Sequence, residues 1–248
     1  MQLKVCTYNI HKGFSQFNRR MVIHELRERL HSLDADVVFL QEVQGLHSLH
    51  GQVYADWPRA PQHEFLADER WEQTAYGQNA LYDHGHHGNA ILSRFSIVSS
   101  FNQDVSAHRF ERRGLLHCEM QLPGLDQTAH CFCVHLSLTG GSRRRQMEAM
   151  VDRVESIVPS NAPLIIAGDF NDWLNHAEPH LARRLGLTEA FRASGRPARS
   201  FPSRMPMLRL DRIYVRGFDV QTAAVHAGPV WGNISDHAPL TAELELAR

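Results

Sequence analysis

Two short segments constrain this chain most: DADVVFLQEV at 34–43 and PLIIAGDFND at 163–172, compact apolar runs that open abruptly into polar side chains. A continuous apolar run of this length, without helical spacing, reads as a strand buried on both faces. Such a strand must be covered on both sides, so the chain is expected to pack sheets against each other with helices outside. The 43% hydrophobic content of the 248 residues is enough for a substantial core. No Pro/Ser-rich linker, low-complexity tract or solenoid-length repeat interrupts it, so a single domain over residues 1–248 is expected.

The remaining pattern supplies the other elements. QLKVCTYN at 2–9 alternates as a strand does, with Asn9 at its C-terminal end. Met21, Ile23, Leu26 and Leu30 fall near helical spacing and predict a helix over 19–31. Strands are expected at 89–92, 96–104, 114–121 and 128–136, an antiparallel middle stretch punctuated by Gly, Pro, Asp and Asn. Ser142 is a candidate cap for a helix over 143–157, and RLDRIYV and HAPLTAELEL read as two closing strands.

Charge and cysteine usage exclude some classes. Lys+Arg 26 against Asp+Glu 27 leaves no global basic field to attract nucleic acid or anionic lipid, so polyanion contacts must come from local clusters. Cys6, Cys118, Cys131 and Cys133 show no C-x-x-C spacing, which favours reduced, buried thiols over structural zinc. No apolar run nears the roughly 20 residues that span a bilayer. The N-terminus begins with an alternating strand instead of a charged leader, and the expected location is the cytoplasm.

The chemistry is carried by where polar residues stand. Strand ends are expected at Asn9, Glu42, His135, Asp169 with Asn171, and Asp236 with His237, each ending in a group that can ligate a hard cation or move a proton. Magnesium takes oxygen ligands, keeps several waters and needs only one or two protein carboxylates, a requirement that Glu42 and Asp236 meet. Cleaving a phosphate ester also requires a polarised water, a stabilised pentacovalent charge and a protonated leaving oxygen, tasks suited to Asn, Asp and His. Singly, each residue has an ordinary alternative: Asn9 as a turn cap, Glu42 as a helix cap, His135 as a hydrogen-bonded core histidine.

The motifs TYNI (7–10), LQEV (40–43), GNAILSR (88–94), VHLS (134–137), GDFND (168–172), LDRIY (210–214) and SDHAPL (235–240), in this order, resemble the endonuclease/exonuclease/phosphatase superfamily, the DNase I-like group. The resemblance implies an α/β fold of the α+β type: a four-layer α/β sandwich with two mixed β-sheets face to face. It implies a metal-dependent hydrolase using Mg2+ or Mn2+, with Glu42 as main ligand, Asn9 in support and Asp236 as a further ligand. Asp169 and Asn171 would sit beside the phosphate and the attacking water. Asp211 would orient His237 for proton abstraction or transition-state binding, and His135 would donate toward the departing oxygen. Asn89, Arg113 and Arg145 are the expected substrate contacts. The implied substrate is a phosphate diester, either nucleic acid or a phospholipid-like headgroup, acted on by a monomer. An inositol-type phosphomonoesterase and a non-catalytic phosphate-binding module are the alternatives. His11 stands two positions after Asn9, where abasic endonucleases carry an acidic residue, and the pattern is most similar to a bacterial subgroup of undefined substrate.

His84, His86 and His87 are expected as a polar rim more than as a separate metal site. Trp57, Trp71, Trp173 and Trp231 could stack bases or touch lipid, but core or rim packing is the expectation for each.

Overall fold

The computed structural model describes residues 1–192, 195 and 198–247. Among them the strands are β1 (Gln2–Asn9), β2 (Val37–His47), β3 (Gln73–Tyr82), β4 (Gly85–Ser93), β5 (Ser96–Asp104), β6 (Gly114–Gln121), β7 (Ala129–His135), β8 (Leu164–Asp169), β9 (Thr188–Glu189), β10 (Asp211–Arg216), β11 (Phe218–Val225) and β12 (Leu240–Leu246). The helices are α1 (Ile23–Ser32), α2 (His50–Val53), α3 (Gln62–Ala67), α4 (Gly140–Ile157) and α5 (Ala177–Leu185).

The strands form two six-stranded sheets, ordered β11-β12-β1-β2-β4-β3 and β5-β6-β7-β8-β10-β9. Both are mixed, because β1 pairs in parallel with β2 and β7 in parallel with β8, while the remaining neighbours are antiparallel. Alternation along each strand divides the core. Val5, Phe39 and Ile91 of the first sheet meet Cys118, Cys131, Ile165 and Ile213 of the second. The opposite parity packs outward: Cys6, Tyr8, Val38 and Leu40 beneath α1 and α3, and Phe132, Val134, Leu164 and Ile166 beneath α4 and α5. This four-layer α/β sandwich is why the two apolar runs are continuous: both faces of β2 and β8 are covered.

Burial, more than capping, holds α1. Its N-terminus has no side-chain cap bond, yet Ile23, Leu26 and Leu30 are fully buried. A cap contributes about 1 kcal/mol, and each buried aliphatic side chain roughly 1.5–3.

Three expectations from the sequence need correction. β2 does not end at Glu42 but runs on to His47, with its pairing to β4 shifted between Leu40 and Val43 and Glu42 itself at φ 55. Asp236 and His237 precede β12 instead of ending a strand. Helix α4 starts at Gly140, so Ser142 lies inside its first turn, and Thr139 takes the N-cap position without a side-chain cap bond. The four cysteines are buried and unpaired. No helix among the described residues is long and apolar enough to cross a membrane.

Candidate active site

Strand direction gathers the polar residues at one edge. The parallel pair β7–β8 sets His135 opposite Asp169, and antiparallel β10 begins with Asp211 opposite the same Asp169. In the other sheet, antiparallel β12 begins beside the end of β1, with Leu240 opposite Thr7, which brings the preceding Asp236 and His237 toward Asn9. A residue before a strand thus reaches the same edge as residues ending neighbouring strands. Gly168 permits the close approach of β7 and β8: at φ +149, a Cβ there would stand 2.0 Å from the Val134 carbonyl oxygen.

Asn9, Glu42, Arg113, His135, Asp169, Asn171, Asp236 and His237 line a single cleft of ≈ 290 Å³. Leu138, Trp173, Phe201, Leu208 and Leu210 complete its wall, giving a polar floor with an apolar side. Asn9 joins the two sheets, its Nδ2 donating to Asp169 Oδ2 at 3.2 Å while its Oδ1 accepts from the His11 amide at 3.1 Å. Asp169 Oδ1 accepts from the Asn171 amide at 2.9 Å, and Asn171 Nδ2 donates to the Leu136 carbonyl at 2.9 Å. Asp169 Oδ2 stands between the two histidines, 3.5 Å from His135 Nε2 and 3.8 Å from His237 Nε2. His237 Nδ1 bonds Asp211 Oδ2 at 2.8 Å, and the Ser200 hydroxyl donates to that same oxygen.

These surroundings push the two histidines in opposite directions. Burial disfavours the charged form of His237, but Asp211 and Asp169 more than offset it and hold the ring's pKa up at about 10. Burial, then the positive charges of Arg113 and His237, drive His135 well below the usual imidazole range. Burial raises Asp169, with Asp211 adding to the effect, while the neighbouring His237 cation acts to keep its carboxylate ionised.

The donor set suits a hard divalent ion. Glu42, Asp236 and Asn9 bring oxygen-bearing side chains from three separate segments to one cleft. Gln41 keeps the inward parity of Phe39 and is fully buried against Thr7 and Cys133; the unusual φ of Glu42 then breaks the alternation of β2, so that Val43 joins Leu40 in the outer core while Glu42 opens to the cleft. Asp169, Asp211 and His237 also lie close enough to share an ion. Their atoms are already committed to one another through the Asp211–His237 hydrogen bond, so they read as a proton-holding group.

Two expected substrate contacts, Arg145 and Asn89, do not line this cleft. Arg145 is exposed on α4 and does not line the cleft. Two residues earlier, which is about 200° around a helix, Arg143 is buried, donates to the carbonyls of Ser137 and Leu138, and stacks over Trp173. Asn89 is buried and bridges the sheets, its Nδ2 donating to the carbonyls of Gly114 and Cys133. Arg113 does line the cleft, tethered to Glu111 at 3.0 Å.

Other residues near the site were not singled out from sequence. Lys12 Nζ lies 4.0 Å from Glu42 Oε2, and Ser200 backs Asp211. Neither stands in a periodic segment, and only the Ser-to-carboxylate contact, formed in three dimensions, reveals the second. Of the three rim histidines, His87 is half-buried and pushed down to about 4, first by burial and then by Lys12, with Glu42 opposing. His86 bonds the Tyr76 hydroxyl at 2.9 Å. Trp71 and Trp231 are core residues and Trp57 stacks on Phe14, whereas Trp173, 42% exposed, stands at the cleft.

The uncharacterized protein YbhP of Escherichia coli (strain K12) is 46% identical over 98% of this chain and 96% of its own length. The endonuclease/exonuclease/phosphatase from Bacteroides vulgatus superposes with a TM-score of 0.77 at 16% identity, covering 99% of both chains. The Bacteroides thetaiotaomicron mannosyl-6-phosphatase Bt3783 does so with a TM-score of 0.73 at 17% identity, covering 98% of this chain and 100% of that one. The profile of the Endonuclease/Exonuclease/phosphatase family, whose members hydrolyse phosphate esters, matches residues 6–237. With its motifs gathered at one sheet edge and a family match across nearly its whole length, the chain belongs to the endonuclease/exonuclease/phosphatase family.

Proposed function

We propose that this protein is a divalent-metal-dependent phosphodiesterase that cleaves a phosphate ester by attack of water, with Mg2+ or Mn2+ as its cofactor. The observation that carries this reading is the convergence of Asn9, Glu42, His135, Asp169, Asn171, Asp236 and His237 on one cleft. Glu42, Asp236 and Asn9 would hold the ion, which when bound supplies charge neutralisation and polarisation at the phosphoryl group. Asp169, ionised beside the His237 cation, is placed to take the proton of the attacking water, with Asn9 and Asn171 fixing its carboxylate. His237, kept cationic by Asp211, is suited to binding the charge that grows on the phosphoryl oxygens, which makes transition-state binding its role and leaves proton abstraction to Asp169.

His135 would protonate the departing oxygen as the phosphorus–oxygen bond breaks. The resting ring is neutral, so the negative charge of the bound phosphate must first favour its protonated form against Arg113. The apolar wall of Leu138, Trp173, Phe201 and Leu208 favours a diester, because it offers a surface to a second, less polar substituent. Nucleic acid and phospholipid headgroups both satisfy that chemistry.

Activity should be measured on plasmid DNA, RNA, abasic oligonucleotides, phospholipids, inositol phosphates and sugar phosphates with added Mg2+ or Mn2+. Turnover of a diester that stops on chelation and returns with Mg2+ is the expected result. Turnover that survives excess chelator would remove the metal from the proposal, and hydrolysis confined to monoesters would make the protein a phosphomonoesterase.

A further inference from the structure

A second set of ligand-type side chains lies on the same sheet, away from the cleft. His117 and Glu119 are two residues apart on β6 and therefore share a face, and His130 on β7 is directly opposite Glu119. Two residues at i and i+2 with a third across an antiparallel pair form a compact triangle on one side of a sheet. His117 Nε2 and His130 Nδ1 share a hydrogen bond at 3.0 Å, which a bound ion would replace, and one ligand atom from each of the three residues falls within 4.8 Å of the others. Two nitrogens bound to one tetrahedral zinc at the usual bond length stand roughly 3.3 Å apart, so little movement brings both rings onto a common ion.

The surroundings resemble a supported metal site. His117 and His130 are both buried, and the His117 ring stacks on Phe132 with centroids 4.3 Å apart. The Glu119 carboxylate is oriented by two hydroxyls, accepting from Ser99 at 3.1 Å and from Thr128 at 3.4 Å. Hydroxyls that fix a carboxylate in this way are the outer support that ligating carboxylates need. Glu119 is only half-buried, leaving a path for an ion and a water.

We propose that His117, Glu119 and His130 form a binding site for a divalent transition-metal ion of the zinc or cobalt class, separate from the catalytic cleft. The two-nitrogen, one-oxygen set suits these borderline ions better than magnesium, and water would complete the coordination. His130 precedes His135 by five residues on β7, a separation of roughly 17 Å along an extended strand, so the two sites take their ions independently.

The test is a cobalt titration of the chelator-stripped, dialysed protein in excess Mg2+, which occupies the hard oxygen site. The expected result is one Co2+ per chain with the intense visible bands of four-coordinate cobalt, displaced by Zn2+. Glu42→Gln should leave these bands unchanged. Glu119→Gln and His117→Gln should weaken binding at least about tenfold while circular dichroism reports an unchanged fold. If His117→Gln does not fold, Glu119→Gln at its half-exposed position decides alone. Absence of four-coordinate cobalt in the wild-type protein, or equal affinity in a folded Glu119→Gln variant, would overturn the site.

Discussion

The two histidines of the cleft differ by their neighbours. His237 has two carboxylates against it, and His135 has a guanidinium and an imidazolium. His135→Ala and His237→Ala should each lower turnover by roughly two to four orders of magnitude, the span for a positioned proton-transfer or charge-binding group. On a nitrophenyl ester, whose leaving group departs without a proton, His135→Ala should regain most of the lost rate and His237→Ala should not. Equal recovery in both variants would contradict the division of roles. Asp211→Asn tests the His237 cation by another route. It keeps the shape of the 2.8 Å contact but removes the charge that raises the ring's pKa, so the imidazolium is lost at lower pH. The alkaline limb of kcat/KM should therefore move down, and an unmoved limb would mean that His237 does not act as a cation.

Single elements place groups that no residue could place alone. The left-handed Glu42 inside β2 turns its carboxylate toward the cleft while the strand continues on both sides. Glu42→Gln can keep that backbone, so it should weaken metal dependence more than folding, with turnover recovering at raised Mg2+. Metal dependence identical to wild type would separate Glu42 from the ion. Gly168 acts through contact between strands: a methyl there meets the Val134 carbonyl and must push β7 from β8. Gly168→Ala should cost at least about 1–3 kcal/mol, the range for overpacking. Because His135 and Asp169 are partners across that pair, activity should fall even where the variant remains folded. Urea denaturation beside a rate measurement separates the two effects.

Across the whole molecule, buried histidines set the pH range of stability. His63, His87 and His117 are pushed down to about 4, mainly by burial, and His135 is lowered well below the usual imidazole value, also chiefly by burial. Below the unfolded imidazole value of roughly 6.5, the unfolded chain binds protons that these rings refuse, so stability must fall as pH drops from there toward 4. Asp169, raised by burial, acts in the opposite sense but is one group against four. His237 bounds the other side. Its raised pKa contributes stability that is complete below about 6.5 and is lost as pH climbs toward its folded value near 10. Urea midpoints should therefore peak near neutral pH and decline on both sides, and an acid limb flat down to pH of about 4 would mean that the histidines are not held neutral.

By itself the sequence determined the features that depend on near neighbours: the doubly buried runs of β2 and β8, the alternation of β1, and the family motifs with Asn9, Asp169 and His135 at or beside strand ends. Strands β3 and β11 and helix α5 escaped that reading because the two strands, QTAYGQNALY and FDVQTAAV, are rich in small and polar residues, and the helix is only nine residues long. Pairing direction across the chain decided the rest. Asn9 and Asp169, 160 residues apart, touch through their side chains, and Asp211, Asp236 and His237 join them because antiparallel strands start where their neighbours end. Protonation likewise depends on surroundings assembled only by folding, and so does the choice of Arg143 instead of Arg145 as the buried arginine. A sequence pattern records which face a side chain takes on its own element, but burial, charge and contact depend on whatever distant segment packs against that face.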